Sequence, residues 1–170
     1  KNIVIDETSV IEYVGEFSEQ LLIASLVKEL KNNSVVESCT NNGKVAIDAA
    51  AKAENIAIAA AGLVAYVDAT SKVSLCSNFG EVNVPNSCTT LGDSSRSGVG
   101  GIVAYNEGII EDCFNNGTIT ASAQAVESCA AGIVAANAAT AIVRNNQNAG
   151  AIHFGSKKGS AASSYIGGVA

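Results

Sequence analysis

The chain repeats itself. The phrase Cys39-Thr-Asn41-Asn-Gly43-Lys-Val45 recurs as Cys76-Ser-Asn78-Phe-Gly80-Glu-Val82 and as Cys113-Phe-Asn115-Asn-Gly117-Thr-Ile119. A fourth copy, Asn146-Gln-Asn148-Ala-Gly150-Ala-Ile152, carries asparagine in the cysteine slot. Successive copies start 37, 37 and 33 residues apart. Repetition at such a period marks units that cannot bury their apolar faces alone and must stack on one another.

A second phrase runs ahead of the first. It reads Ser25-Leu26-Val27, Gly62-Leu63-Val64-Ala65-Tyr66, Gly101-Ile102-Val103-Ala104-Tyr105 and Gly132-Ile133-Val134-Ala135-Ala136, and it reopens at Gly168-Val169. Between the phrases lie Val36, Val73, Ile110 and Val143. After the first phrase come Val45/Ile47, Val82/Val84, Ile119/Ala121 and Ile152/Phe154, spaced two apart with polar or small residues between. Period two means a strand with one buried face. Three short strands per repeat joined by turns make one coil of a parallel β-helix. The expected fold is therefore all-β, a parallel β-solenoid of about four to five coils of 33–37 residues. Val45, Val82, Ile119 and Ile152 should stack inside it. Residues 1–22 form an N-terminal cap or a degenerate coil, and 23–170 the repeats, the last coil incomplete. Helical repeats would need amphipathic 3.6 periodicity. A four-stranded propeller blade of similar length stays open.

The stretch Gly101-Ile-Val-Ala-Tyr105-Asn-Glu-Gly108, followed by Ile110-Glu-Asp-Cys113-Phe-Asn-Asn-Gly117-Thr-Ile119, resembles the GLUG motif. The resemblance covers residues 23–170. It departs at the first copy, where Ser25 replaces glycine and Lys28-Glu29 replace Ala-Tyr, and at the fourth, where Asn146 replaces cysteine. That motif occurs in bacterial and some protist surface proteins, in adhesins and in the flanks of large secreted proteases. The resemblance implies a β-solenoid in a cell-surface setting, and it supplies no catalytic residue.

Composition is consistent with a narrow stacked interior. The chain is 48% hydrophobic but only 5% aromatic and 15% charged, so its core must be filled by Val, Ile, Leu and Ala rather than by large rings. A net charge of −6 argues against nucleic acid, since no basic stripe is available to displace counterions from phosphates. No apolar run reaches the roughly 18 residues of a membrane span. Lys1 reads as a mature or trimmed terminus.

Four asparagines, Asn41, Asn78, Asn115 and Asn148, hold a constant spacing to Gly43, Gly80, Gly117 and Gly150. The glycines are read as turn residues at positive φ, and the asparagines as a hydrogen-bonded ladder along the axis. The rival reading is a row of amides that bind sugars or ions. Cys39, Cys76 and Cys113 share one slot and are expected to stack as free thiols, small apolar fillers. Cys88 and Cys129 lie in connecting segments, and their placement in an extracellular chain suggests a disulfide. No C-x-x-C pair exists and His153 is the sole histidine, so neither a zinc site nor any other cofactor is expected. Asn32-Asn33-Ser34 and Asn116-Gly117-Thr118 are glycosylation acceptors by pattern, with Asn116 also explained as a turn residue.

The segments 48–60, 85–100, 122–131 and 155–167 vary most and are read as linkers or as a binding edge. Glu12, Glu16 and Glu19 could supply paired carboxylates for glycoside chemistry, or simply form a solvated acidic face. Glu111, Asp112, Arg96 and Arg144 are read as not sharing a slot, which counts against a carbohydrate-active β-helix enzyme.

The preferred function is a non-enzymatic structural or adhesive module, extracellular or on the cell surface. Its expected partners are adjoining coils or like subunits end to end, and surface glycans or matrix proteins, without nucleic acid or membrane insertion. The alternatives are a β-helix carbohydrate-active enzyme and a non-catalytic flank of a large secreted protease. Because Tyr165–Ala170 opens a fifth coil, the chain is expected to be a section of a longer solenoid or a stacking subunit.

Overall fold

A computed structural model of the chain describes residues 1–51, 57–84, 98–123, 127–156 and 163–169. Strands β1 (Val4–Ile5) and β2 (Val10–Phe17) lead into a level formed by β3 (Leu21–Ala24), β4 (Val27–Leu30), β5 (Val35–Glu37), β6 (Thr40–Asn41) and β7 (Lys44–Ala51). The next level holds β8 (Ile58–Ala61), β9 (Val64–Val67), β10 (Lys72–Ser74), β11 (Ser77–Asn78) and β12 (Val82–Asn83). Above it lie β13 (Gly98–Gly100), β14 (Val103–Asn106), β15 (Ile109–Glu111), β16 (Phe114–Asn115) and β17 (Ile119–Ala123). Then come β18 (Glu127–Ala131), β19 (Val134–Asn137), β20 (Ile142–Arg144), β21 (Gln147–Asn148) and β22 (Ile152–Ser156), and β23 (Ser163–Gly167) opens a further level.

Each strand pairs with its counterpart one level away, giving five sheets: β1-β6-β11-β16-β21, β5-β10-β15-β20, β2-β7-β12-β17-β22, β3-β8-β13-β18-β23 and β4-β9-β14-β19. The pairings described are parallel. The fold is a parallel β-solenoid. Four levels carry all five strands, about three full turns separate the first from the last, and β1, β2 and β23 add partial levels at the ends, a small difference from the four to five coils expected. Val45, Val82, Ile119 and Ile152 stack in register as the alternation predicts. Within residues 1–22, β1 and β2 pair upward onto β6 and β7.

Each coil has five strands rather than three. One of the two additional strands is only two residues long, such as Ser77–Asn78, too short to show any periodicity. The other lies in the segments read as linkers. Ile58–Ala61 and Gly98–Gly100 are buried at every position. A parallel strand covered on both faces reads as an unbroken run of small apolar residues instead of an alternation.

The corner leading into the two-residue strand is made by Ser38, Leu75, Asp112 and Asn145, with φ of 55°, 54°, 54° and 56°. Four non-glycine residues in the left-handed region, one per level, define a fixed bend; each costs about 1–2 kcal/mol relative to a right-handed conformation. The expectation of positive φ at Gly43, Gly80, Gly117 and Gly150 is wrong, since the described glycines with positive φ are Gly15 and Gly98. The turn glycines are needed for space: a Cβ on Gly80 would lie 1.8 Å from the Gly43 carbonyl oxygen, and one on Gly117 2.0 Å from that of Gly80.

Candidate functional site

Asn41, Asn78 and Asn115 point inward and are fully buried, each alternating with an outward neighbour on its two-residue strand. Their amides form a one-way ladder. Asn41 Nδ2 donates to Asn78 Oδ1 at 2.8 Å, Asn78 Nδ2 to Asn115 Oδ1 at 2.8 Å, and Asn115 Nδ2 to Asn148 Oδ1 at 2.7 Å. The second amide hydrogen of each goes to the carbonyl of the glycine two residues on, Gly43, Gly80, Gly117 or Gly150. Both amide hydrogens of Asn41, Asn78 and Asn115 are spent in this way, inside the fold and away from any sugar or ion.

Opposite the ladder stand the glycines of the other phrase. A Cβ on Gly62 would lie 2.6 Å from Asn78 Cγ, one on Gly101 2.5 Å from Asn115 Cγ, and one on Gly132 2.1 Å from Asn148 Cγ. The asparagine column thus crosses the interior and abuts the glycine column. The apolar core divides accordingly. One cluster holds Val45, Ile58, Val82, Val99 and Ile119, and the other holds Leu63, Val73, Ile102, Ile110 and Ile133. At the lowest level Ser25 stands in the glycine slot and its hydroxyl donates to the Gly62 carbonyl. A second, shorter ladder runs from Asn106 Nδ2 to Asn137 Oδ1 at 2.8 Å, with Gly108 N donating to Asn106 Oδ1 at 2.9 Å. The Asn106-Glu-Gly108 spacing repeats that of Asn41 and Gly43 and was the signal for it.

The thiols of Cys39, Cys76 and Cys113 are buried and unbridged. The Cys39 N–H points at Cys76 Sγ at 3.4 Å. The Cys76 sulfur beside it and then burial push the Cys113 thiol up. Asn146 closes the stack from above, accepting from Cys113 N at 2.8 Å and donating to the Ile110 carbonyl at 3.0 Å. Cys88 lies outside the described residues. Cys129, on β18, faces Gly98, where an added Cβ would come within 3.3 Å of its sulfur.

Glu111 and Arg144 do share a slot, contrary to the reading from sequence, and pair directly across β15 and β20. Arg144 Nε donates to Glu111 Oε2 at 2.7 Å, and Lys72 from the level below bridges to the other oxygen. Lys72 first, then Arg144, hold the Glu111 carboxyl below its usual range. Ser74 lies between Glu37 and Glu111 in the same column, its hydroxyl buried and without a hydrogen-bond partner. Arg96 is outside the described residues. Asp112 occupies the left-handed corner and is exposed. Of the N-terminal carboxylates, Glu16 and Glu19 line a shallow hollow with Tyr13 and Phe17, and Glu12 does not.

The two acceptor asparagines differ in setting. Asn32 is exposed in a left-handed turn, its N–H bonded to Asp68 Oδ2 at 2.9 Å. The hydroxyl of Ser71, then Asn32 and Thr70, lower the Asp68 carboxyl to about 2. Asn116 is exposed beside the outward aromatic pair Phe79 and Phe114, whose rings meet edge to face with centroids 5.9 Å apart.

No curated protein and no solved structure matches the chain. The family model of the GLUG motif matches residues 95–120, the segment that spans β13 to β16 and carries Gly101, Cys113, Asn115 and Gly117. The chain is a β-solenoid of repeats that bears the GLUG motif.

Proposed function

We propose that this chain is a non-enzymatic structural and adhesive module of an extracellular or cell-surface protein. The observation that carries this reading is where its polar side chains are spent. Asn41, Asn78 and Asn115 satisfy one another and the backbone, and the buried carboxylate Glu111 is clamped by Lys72 and Arg144 from the levels on either side. Reactive groups in a catalytic site are held ready for a substrate. Here they tie coil to coil, which makes a stiff rod with a repetitive outer surface. Further coils or like subunits would extend that rod along its axis, and the outer faces would meet surface glycans or matrix.

Surface biotinylation of intact cells expressing the full-length protein tests the location. Labelling without cell lysis supports the reading; labelling only after lysis overturns it. Incubation of the purified chain with polysaccharides, followed by a reducing-end assay, tests the enzymatic alternative. Accumulating ends would favour a carbohydrate-active enzyme.

A further inference from the structure

The outer face of the sheet β6-β11-β16-β21 has a composition that nothing in the interior demands. Its outward residues form two columns. Val4, Thr40, Ser77, Phe114 and Gln147 stand in register on the strands themselves. Asn42, Phe79, Asn116 and Ala149 follow one rung each, where backbone hydrogen bonds continue the ladder. Apart from Asp6, which ends the second column at its lowest rung, neither column carries a charge, although the chain has a net charge of −6. Asp112 stands at its margin, and the nearby Lys44 and Glu81 neutralise each other at 2.9 Å. Phe79 is 47% exposed, and its ring meets that of Phe114 at 63°. An exposed phenylalanine resting on a half-buried one gives this face an aromatic surface.

We propose that this aromatic-bearing strip, uncharged above its lowest rung, is a binding site for a single strand of neutral polysaccharide. The inference rests on the adhesive reading above and names its partner. Size and charge decide the occupant. Five rungs at the strand spacing give a length of about 19 Å, and two side-chain columns a width of about 7 Å. The area is thus about 130 Å², far short of the roughly 800 Å² per partner that a specific protein interface buries. It has the shape of an extended chain. An anionic strand would find no cation on the strip, and a cationic one a single carboxylate, Asp6, at its lowest rung and away from Phe79 and Phe114. A neutral sugar has apolar C–H faces for Phe79 and Phe114 and hydroxyls for Thr40, Ser77, Asn116 and Gln147. The rigid backbone presents these groups without ordering any loop, so little of the binding energy is lost to ordering the site. The site requires Asn116 to be free of attached glycan, which would cover the strip.

Affinity electrophoresis of the 170-residue chain tests this, with hydroxyethylcellulose, xyloglucan, galactomannan or laminarin cast in the gel and polygalacturonate as the anionic comparison. Retardation by at least one neutral polymer is expected. Phe79→Ala and Phe114→Ala, each with an unchanged circular dichroism spectrum, should weaken it at least about fivefold. No retardation by any neutral polymer, retardation by polygalacturonate alone, or retardation unaltered in both variants overturns the proposal. Any of these combined with surface labelling in the biotinylation experiment leaves the adhesive module standing and removes only this site.

Discussion

Gly101 leaves no room for a methyl group beside Asn115: a Cβ built on it would lie 2.5 Å from Asn115 Cγ and 2.0 Å from the Gly132 carbonyl oxygen. Two phrases separated along the chain are thus one device in space. The glycine of one makes the slot that the asparagine of the other fills, and the same pairing recurs at Gly62 with Asn78 and at Gly132 with Asn148.

Gly101→Ala is accordingly expected to destabilise the chain by about 3 kcal/mol or more, because the obstructing atoms include backbone and cannot rotate away. Gly168→Ala is the matched control, since nothing lies within 4 Å of its Cβ position. It should change stability by no more than about 0.5 kcal/mol. Guanidinium denaturation of both variants checks the contrast, and equal midpoints would contradict the slot.

Removing the middle of the ladder should cost more than removing a solvent-facing neighbour. Asn78→Ala takes the acceptor from Asn41 Nδ2, the donor from Asn115 Oδ1 and a donor from the Gly80 carbonyl. Buried groups left unsatisfied cost about 1–3 kcal/mol each, so a loss of about 3 kcal/mol is expected after partial relaxation. Asn116→Ala, at an exposed position, should stay within about 0.5 kcal/mol. Thermal melts followed by circular dichroism give the comparison.

The Lys72–Glu111–Arg144 clamp predicts acid sensitivity. Glu111 has a carboxyl held below its ordinary value of 4.5, chiefly by Lys72 and then by Arg144. A group whose folded pKa is depressed contributes stability that is present above its unfolded value and is lost as pH falls toward the folded one. Stability should therefore decline as pH drops below about 4.5. Glu111→Gln should be less stable than the parent at neutral pH, and the gap should narrow in acid. Urea midpoints at a series of pH values test this; a constant gap would show that the clamp contributes nothing through charge.

The three stacked thiols should be inert in the folded chain. Cys39, Cys76 and Cys113 are at most 2% exposed, so a reagent cannot reach their sulfurs while the coils stay stacked. Iodoacetamide at neutral pH should leave all three unmodified under native conditions and alkylate all three after denaturation, as read by peptide mass mapping. Rapid native alkylation of any of them would show that the slot opens.

The sequence by itself determined the stacking architecture. Cys39, Cys76 and Cys113 at a constant interval, with Val45, Val82 and Ile119 behind them, require one level per repeat, because period-two alternation in register exposes one face and buries the other. The ladder of Asn41, Asn78, Asn115 and Asn148 was legible from the same spacing. The tertiary structure decided what spacing does not encode. It placed a strand in the Ala-rich run Ile58–Ala61, where burial on both faces erases alternation. It put the left-handed corner at Leu75 and its equivalents rather than at the glycines. It joined Glu111 to Arg144, 33 residues away, through a register that only the folded coil supplies. And it turned Phe79 and Phe114 together on the outer face although they occupy different positions in their phrases, because neighbouring coils bring diagonal side chains within reach of one another.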